Sequence, residues 1–217
     1  MQRSAPIRKL KRYTNLPVLL HLLQTRTLTA LNPSTWPDQN DTTYLRRYKA
    51  THPQVKGLFV LCMTEAADTF HHWNVYANGP SGVKIEFDPA GFQTWLSNTK
   101  VSSRLERVQY KRIDEIEEAA RDQNSLPFLK RKAFRDENEI RLLVEDMQFD
   151  GLAYSLPEFE VSIIRKISLS PWLPIALEEA VISSIRHAYP GSASQWKAMK
   201  VQRTSLLYNE AFVQAGN

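Results

Sequence analysis

The segment that decides the fold is FRDENEIRLLV, residues 134–144, where charged residues give way to apolar ones. Glu137, Glu139 and Arg141 follow one another at intervals of two, and Ile140 lies between the last two. Because successive side chains of a strand point to opposite faces, this spacing predicts a strand with the three charges on one face. Two carboxylates and a guanidinium would then share one small surface.

These charges have two interpretations. Two carboxylates that lie close together repel each other, and the repulsion raises the proton affinity of one of them unless a cation relieves it. Arg141, a metal ion or a cationic substrate could provide that relief, which makes the surface a candidate site. The alternative is a solvated strand edge on which Glu and Arg form cross-strand ion pairs. The segment alone favours the solvated edge.

Length and composition are those of an ordinary globular protein. The chain has 217 residues, of which 42% are hydrophobic and 24% charged, enough for one hydrophobic core and too few for two full-sized domains. We therefore expect a single domain over residues 1–217. The lone cysteine, Cys62, excludes an internal disulfide, and no apolar run is long enough to cross a membrane. The sequence predicts a cytoplasmic protein.

Basic residues are concentrated in clusters along the chain. The formal charge is +5, with clusters at Arg3 to Arg12, Arg46 to Lys49 and Lys130 to Arg135. Such clusters attract anions, including nucleic acid, and salt screens this attraction. The candidate contacts to nucleic acid are Lys9, Lys11, Arg12, Lys130, Arg131 and Lys132. Solvated surface charges without a nucleic-acid partner explain the same excess equally well.

Strand and helix patterns alternate and predict an α+β fold with mixed or antiparallel sheets and flanking helices. Strands are predicted at residues 7–13, 57–64, 83–87, 108–110, 139–144, 159–169 and 201–208. Helices are predicted at residues 16–23, 44–49, 66–77, 113–122, 128–134 and 175–188 and around Trp196. Asn15 is placed to cap the first helix, and the prolines and Asn/Asp residues between 31 and 41 predict a loop.

Other residues with chemical potential carry weaker signals. Trp73 and Tyr76 lie three residues apart on a predicted helix, where they could hold a flat ring between them or, more often, belong to a core. His71 and His72 are neighbours whose rings diverge on a helix, so we expect no zinc site. Cys62 lies in an apolar run and is expected to be buried and protonated.

Several motifs, in order along the chain, resemble those of one family. They are Arg12-Tyr13-Thr14, Asn40-Asp41, Leu61-Cys-Met-Thr-Glu65, Trp73-x-x-Tyr76-Ala77, Gly82-Val-x-Ile-x-Phe87-Asp88, and Lys132 through Glu137-x-Glu139-x-Arg141. This series is similar to the bacterial and phage domain of unknown function numbered twenty-nine seventy-one. The resemblance implies a family-like core over about residues 10–167, followed by C-terminal helices and a final strand over residues 170–217. Members typically read Asn-Asp-Pro-x-Glu where two threonines follow Asp41 here.

A second resemblance concerns function. An arginine in the first strand, a threonine ending a central strand and a Glu-x-Glu opening a later strand are similar to the plan of ADP-ribosyltransferases, which cleave NAD. The resemblance implies NAD as cofactor and a catalytic carboxylate at Glu139, which would stabilise an oxocarbenium-like ribose cation. Glu137 would orient or deprotonate the acceptor. The implied cofactor-binding residues are Arg12, Tyr13, Thr64, Trp73, Tyr76 and Arg141. The serine-containing motif of that class is missing around Thr64.

The leading hypothesis is therefore an intracellular bacterial or phage enzyme of ADP-ribosyltransferase-like type that uses NAD and modifies a macromolecule. A role as a toxin or in phage defence and a regulatory protein partner are candidates that the sequence leaves open. Nucleic acid is one candidate acceptor. One alternative is a non-catalytic nucleic-acid-binding module with Trp73 or Tyr76 stacked on a base. Another is a nuclease in which Glu137, Glu139 and either Asp38 or Asp41 hold magnesium. The sequence leaves the oligomeric state open.

Overall fold

The computed structural model describes residues 5–36, 38–77 and 79–208, together with Gln214. The strands are β1 Leu10–Asn15, β2 Thr29–Leu31, β3 Gly57–Thr64, β4 Gly82–Phe87, β5 Ser103–Arg107, β6 Gln109–Lys111, β7 Leu129–Arg131, β8 Glu139–Asp146, β9 Ala153–Ser155, β10 Ile164–Leu169 and β11 Lys200–Arg203. The helices are α1 Leu16–Thr25, α2 Gln39–Thr51, α3 Phe70–Tyr76, α4 Pro89–Asn98, α5 Ile113–Ala119, α6 Glu178–Ala188 and α7 Ala193–Ala198. The α+β class is as predicted. Within the described residues, no helix has the length and apolar character needed to cross a membrane.

The elements fall into two compact units, each built from separate stretches of the chain. The first unit contains Met1–Thr27, Ala67–Thr94 and Glu158–Asn217. The second contains Leu28–Ala66 and Trp95–Pro157. The single domain expected from the length stays a prediction.

In the first unit, strands pair in the order β11, β10, β4, β1. The β10–β11 pair is parallel, whereas β4 is antiparallel to both of its neighbours, so the pairing is mixed. We predicted a half-exposed strand at residues 83–87, and this is wrong for Lys84, which is buried. Its ammonium is held 2.6 Å from Asp68 and 2.8 Å from Glu86, and this pairing compensates the charge inside the protein.

Helix α1 begins where the sequence predicted, directly after Asn15. The Asn15 side chain accepts a hydrogen bond from the backbone N–H of Val18 at 3.0 Å, which satisfies one of the free donors of the first turn. Pro17 lies in that first turn, where its missing N–H costs nothing. Leu19 and Leu23 are then buried on the inner face of α1.

In the second unit, strands pair in the order β5, β8, β3, β2, β9, and each neighbouring pair is antiparallel. The long pair β3–β8 runs in unbroken register from Gly57 opposite Asp146 to Thr64 opposite Glu139. The short strands β6 and β7 pair in parallel and form a separate two-stranded sheet. The helix predicted at residues 128–134 is wrong, because this segment forms β7 and then a 3-10 turn, Lys132–Glu137.

Helix α2 begins within the segment predicted to be a loop. The carboxylate of Asp38 accepts hydrogen bonds from the backbone N–H groups of Asn40 and Asp41, so the helix starts at Gln39. Leu45 and Tyr48 of this helix pack into the core of the second unit, which also contains residues from β3, β7 and β8. This start places Asp41 in the first turn of α2, where its side chain is buried.

Candidate functional site

Arg141, fully buried on β8, is the centre of a group of charges in the second unit. Its Nη1 and Nη2 donate to the two carboxylate oxygens of Asp41 at 2.9 and 2.8 Å. Its Nε and Nη2 donate to the two oxygens of Glu139 at 2.9 and 3.0 Å, and Nη1 also donates to the carbonyl of Pro127 at 2.6 Å. A planar guanidinium matches carboxylates bidentately, so Arg141 fixes both acids in position.

Lys130 joins this group from β7. Its Nζ donates to Oε2 of Glu137 at 2.5 Å and lies 3.4 Å from Oε2 of Glu139 and 3.7 Å from Oδ2 of Asp41. Burial works to lower the pKa of Lys130, but Glu139 and Glu137 outweigh it and raise the pKa above its usual value. Lys130 therefore stays charged and links the carboxylate of Glu137 to those of Glu139 and Asp41.

We call these five residues, Asp41, Lys130, Glu137, Glu139 and Arg141, the charge cluster. Three carboxylates face two cations, which leaves one formal negative charge uncompensated within the cluster. Burial works to raise the pKa of Glu139, but Arg141 and then Lys130 lower it to about 2. Glu139 is thus ionised throughout the physiological pH range, and a cationic group would be favoured next to the cluster.

Glu137 reaches the cluster by a route that strand alternation does not describe. It is the last residue of the 3-10 turn, and Asn138 then adopts a left-handed conformation with φ of 42° before β8 begins. The hydroxyl of Thr64 donates to the carbonyl of Glu137 at 2.6 Å and is close to that of Asn138 at 3.2 Å. The predicted role of Thr64 in cofactor binding is therefore wrong for its hydroxyl, which fixes this turn.

Sequence reasoning missed part of the cluster. The sequence predicted Asp41 as part of a family motif and a candidate magnesium ligand, Lys130 as a phosphate contact and Tyr110 as a strand residue, and it paired none of them with Arg141 or Glu139. The backbone N–H of Glu139 donates to Oη of Tyr110 at 2.8 Å, which positions the start of β8. The signal in the sequence is Arg141 itself, because an arginine inside an apolar strand requires buried carboxylate partners.

Cys62 lies opposite Arg141 in the register of β3 and β8, and its exposure corrects the prediction. We expected a buried thiol, whereas Cys62 is exposed. Its surroundings are nevertheless dense, since desolvation, followed by Glu139, raises the pKa of the thiol. The thiol is therefore protonated at neutral pH, as expected, and solvent reaches this face of the strands beside the cluster.

The remaining predicted cofactor residues lie in the first unit. Trp73 is fully buried, and its ring meets that of Tyr13 edge-on at 5.2 Å, so it cannot stack on a nicotinamide as predicted. The hydroxyl of Tyr13 donates to Asp68 at 3.1 Å. Tyr76 is 38% exposed and keeps an accessible ring, and Arg12 on β1 is partly buried. Of the two aromatic faces, only that of Tyr76 can receive a ligand.

Two of the predicted nucleic-acid contacts are also wrong. Lys130 has a side chain only 12% exposed and is held by Glu137. Lys11 is buried, with Nζ 3.9 Å from a carboxylate oxygen of Asp68. Neither ammonium can reach a phosphate outside the protein. The exposed residues of the predicted set are Lys9, Arg131 and Lys132.

The magnesium hypothesis finds no support in the geometry. The acidic residue Asp41 does approach Glu139, but the guanidinium of Arg141 lies between the two carboxylates. Asp38 instead caps helix α2. Across the described ranges, no group of three or more His, Cys, Asp or Glu side chains is arranged to hold a metal ion.

The fold and site define an α+β protein with a net-negative charge cluster where a long strand begins. Solved structures similar to this chain include those of Thermus sp. 2.9 DarT. Its complex with ADP-ribosylated ssDNA is 12% identical, has a TM-score of 0.48 and covers 96% of this chain and 100% of that chain. The complex with NAD+ is 11% identical, has a TM-score of 0.48 and covers 95% of this chain. The complex with carba-NAD+ is 12% identical, has a TM-score of 0.45 and covers 94% of this chain.

No family model matches the chain, and no curated protein matches it. Membership of the domain family of unknown function therefore stays a prediction.

Proposed function

We propose that this protein is an ADP-ribosyltransferase-like enzyme that cleaves NAD and transfers ADP-ribose to a macromolecule. The observation that carries the proposal is the charge cluster, in which three carboxylates are held by two cations and an ionised Glu139 is fixed by Arg141. The sequence resemblance supplies the reaction class. The toxin or defence role and the regulatory partner stay predictions from that resemblance.

The reaction makes a particular demand on the protein. The bond between C1′ of the ribose and the nicotinamide nitrogen breaks, and the nitrogen keeps the electron pair. Positive charge therefore develops on the ribose, until the acceptor forms a bond to C1′ and gives up its proton. A fixed negative group beside this carbon stabilises the cation most effectively where water is excluded.

We assign this role to Glu139, whose side chain is 5% exposed. Both of its oxygens accept hydrogen bonds from Arg141, so the carboxylate need not reorient as the cation forms. Its pairing does not cancel its charge within the cluster, since Arg141 is shared with Asp41. With a pKa of about 2, Glu139 stabilises charge rather than transferring a proton, which leaves Glu137 as the candidate for the acceptor's proton.

A purely structural cluster is the competing interpretation, because buried ion pairs also hold elements together. The two interpretations differ in what Glu139→Gln does. Glutamine keeps the side chain's size and one carbonyl oxygen as an acceptor for Arg141, but removes the charge. If the cluster stabilises a cation, nicotinamide release falls about 100- to 1,000-fold while the fold persists.

The test combines binding and turnover. Isothermal titration with NAD and an assay of nicotinamide release are run on the wild type, Glu139→Gln and the control Glu106→Gln. Glu106 lies opposite Arg141 in the register of β5 and β8, but its side chain is 48% exposed and outside the cluster. Circular dichroism verifies folding. The proposal is refuted if the folded Glu139→Gln variant releases nicotinamide at the wild-type rate. It is also refuted if titration of the wild-type protein with NAD produces no heat of binding.

The first unit contributes separate predictions. Arg12 and Tyr76 stay predicted NAD contacts, through a guanidinium on pyrophosphate and a ring on nicotinamide. Each is tested by its own alanine variant in the same titration, where weaker NAD binding is expected. Trp73 is left out because it is buried.

A further inference from the structure

Tyr110 links the two-stranded sheet of the second unit to the strand that carries Glu139. Its Oη accepts a hydrogen bond from the backbone N–H of Glu139 at 2.8 Å. We infer that Tyr110 is a positioning residue for NAD cleavage, acting through Glu139 and through Lys130, its neighbour across β6 and β7. The inference rests on the proposed function, because a positioning residue needs the reaction that it serves.

The segment 108–110 holds both polar groups of the Glu139 backbone. While Tyr110 receives the N–H, the backbone N–H of Val108 donates to the carbonyl of Glu139 at 3.0 Å. Glu139 is the first residue of β8 and directly follows Asn138, whose backbone is left-handed. At this end of the strand, contacts from segment 108–110 therefore set the direction in which the Glu139 side chain leaves the backbone.

The carboxylate of Glu139 is fixed separately, at the other end of the side chain. Nε and Nη2 of Arg141 donate to its two oxygens at 2.9 and 3.0 Å. A carboxylate that stabilises a developing cation must keep its place relative to the ribose, and a displacement of about 1 Å can cost about 100-fold in rate. Loosening the backbone end is thus expected to slow bond cleavage even though Arg141 remains.

Tyr110 also helps to place Lys130. The two residues lie opposite each other in the parallel pair of β6 and β7. Nζ of Lys130 donates to Glu137 at 2.5 Å and lies 3.4 Å from Oε2 of Glu139. Because Tyr110 on β6 is hydrogen-bonded to β8, it ties the sheet that carries Lys130 to the strand that carries Glu139. One hydroxyl thus helps to keep Lys130 within reach of two carboxylates.

The hydroxyl of Tyr110 does this without adding charge to the cluster. Desolvation raises the pKa of Tyr110 above its usual value, and the carboxylates of Glu139 and Glu137 also raise it, although the hydrogen bond from Glu139 works in the opposite direction. The phenol is therefore protonated at neutral pH. A neutral hydroxyl oxygen accepts the N–H of Glu139 without repelling the carboxylates beside it.

The test uses Tyr110→Phe, which removes the hydroxyl and keeps the ring. Tyr48→Phe is the matched control, because the hydroxyl of Tyr48 donates to Glu145 near the other end of β8, outside the charge cluster. Both variants should lower the midpoint of urea unfolding, since each loses a hydrogen bond to the same strand. We expect only Tyr110→Phe to lower kcat for nicotinamide release, by about 10- to 100-fold, and to leave the KM for NAD within about twofold of the wild type.

Amide hydrogen exchange provides a readout that does not depend on NAD. In Tyr110→Phe the N–H of Glu139 loses its acceptor, so its exchange, followed by NMR, should become faster relative to the other amides of β8. In Tyr48→Phe the exchange of Glu139 relative to those amides should stay as in the wild type.

The outcomes separate the inference from the proposed function. If the wild type releases nicotinamide and folded Tyr110→Phe keeps the wild-type kcat, or loses no more than Tyr48→Phe, the inference is overturned and the proposed function stands. Unchanged relative exchange of the Glu139 amide in Tyr110→Phe also overturns the inference. A wild type that releases no nicotinamide refutes the proposed function and the inference with it.

Discussion

Replacing Arg141 with methionine is expected to destabilise the second unit strongly. The guanidinium is fully buried and donates to the carboxylates of both Asp41 and Glu139. Methionine fills a similar part of this space but leaves the two acids buried without their main counter-charge. Breaking a buried pair by removing one partner costs about 3–5 kcal/mol, and we expect the free energy of unfolding at pH 7 to fall by that amount.

The same variant should lose part of its acid dependence. In the wild type the folded pKa of Glu139 is about 2, below its usual 4.5. A lowered pKa contributes stability that is fully present above pH 4.5 and is lost as the pH falls towards 2. Since one pKa unit corresponds to about 1.4 kcal/mol, this contribution is roughly 3 kcal/mol. Without Arg141, most of this pH-dependent stabilisation by Glu139 should disappear.

Urea unfolding followed by tryptophan fluorescence at pH 7, 4.5 and 3 measures both effects. Arg112→Met is the matched control, because Arg112 pairs with Asp114 at 2.7 Å while its side chain is 59% exposed, and it should cost less than about 1 kcal/mol. Arg141→Lys keeps the positive charge, so its loss of unfolding free energy should lie between the losses of Arg141→Met and Arg112→Met. A loss at pH 7 no larger than that of the control, or an unchanged acid dependence, would refute the role assigned to Arg141.

Three further outcomes are expected. Thr64→Val should lower the free energy of unfolding by about 1–2 kcal/mol in urea titrations, because its hydroxyl binds the buried turn at Glu137; an unchanged midpoint would contradict this. Asn15→Ala should lower the free energy of unfolding, measured by thermal unfolding, by about 1 kcal/mol because the N-cap of α1 is lost. Asn15→Asp keeps a capping carboxylate and should retain the wild-type stability. Cys62 is exposed, but desolvation and then Glu139 raise the pKa of its thiol. Maleimide should therefore label Cys62 more slowly at pH 7 than it labels a cysteine peptide, and the labelling rate should increase as the pH rises. A labelling rate equal to that of the peptide would argue against this environment.

The sequence predicted features that neighbouring residues determine. The cap at Asn15, the strand Gly57–Thr64 and the start of β8 at Glu139 depend on local spacing and turn chemistry, and the structure has them where they were expected. The face shared by Glu139 and Arg141 follows from strand alternation in the same way.

The sequence could not predict features that depend on distant partners. Lys84 looked exposed by alternation, yet it is buried because Asp68 reaches it. Residues 128–134 have helical character, but β7 forms because β6 lies alongside it, a contact that no local pattern contains. The pair Asp41 and Arg141 is of the same kind, since 100 residues separate its members.

That separation has a consequence for synthesis of the protein on the ribosome. Asp41 emerges well before Arg141, and at about 5–20 residues per second the delay is roughly 5–20 s. During this interval the nascent chain contains α2 but not the partner that completes the cluster, so its carboxylate remains hydrated. A translation product halted before β8 lacks Glu139 and Arg141 altogether and, on the proposed function, is harmless to NAD in the cell that makes it.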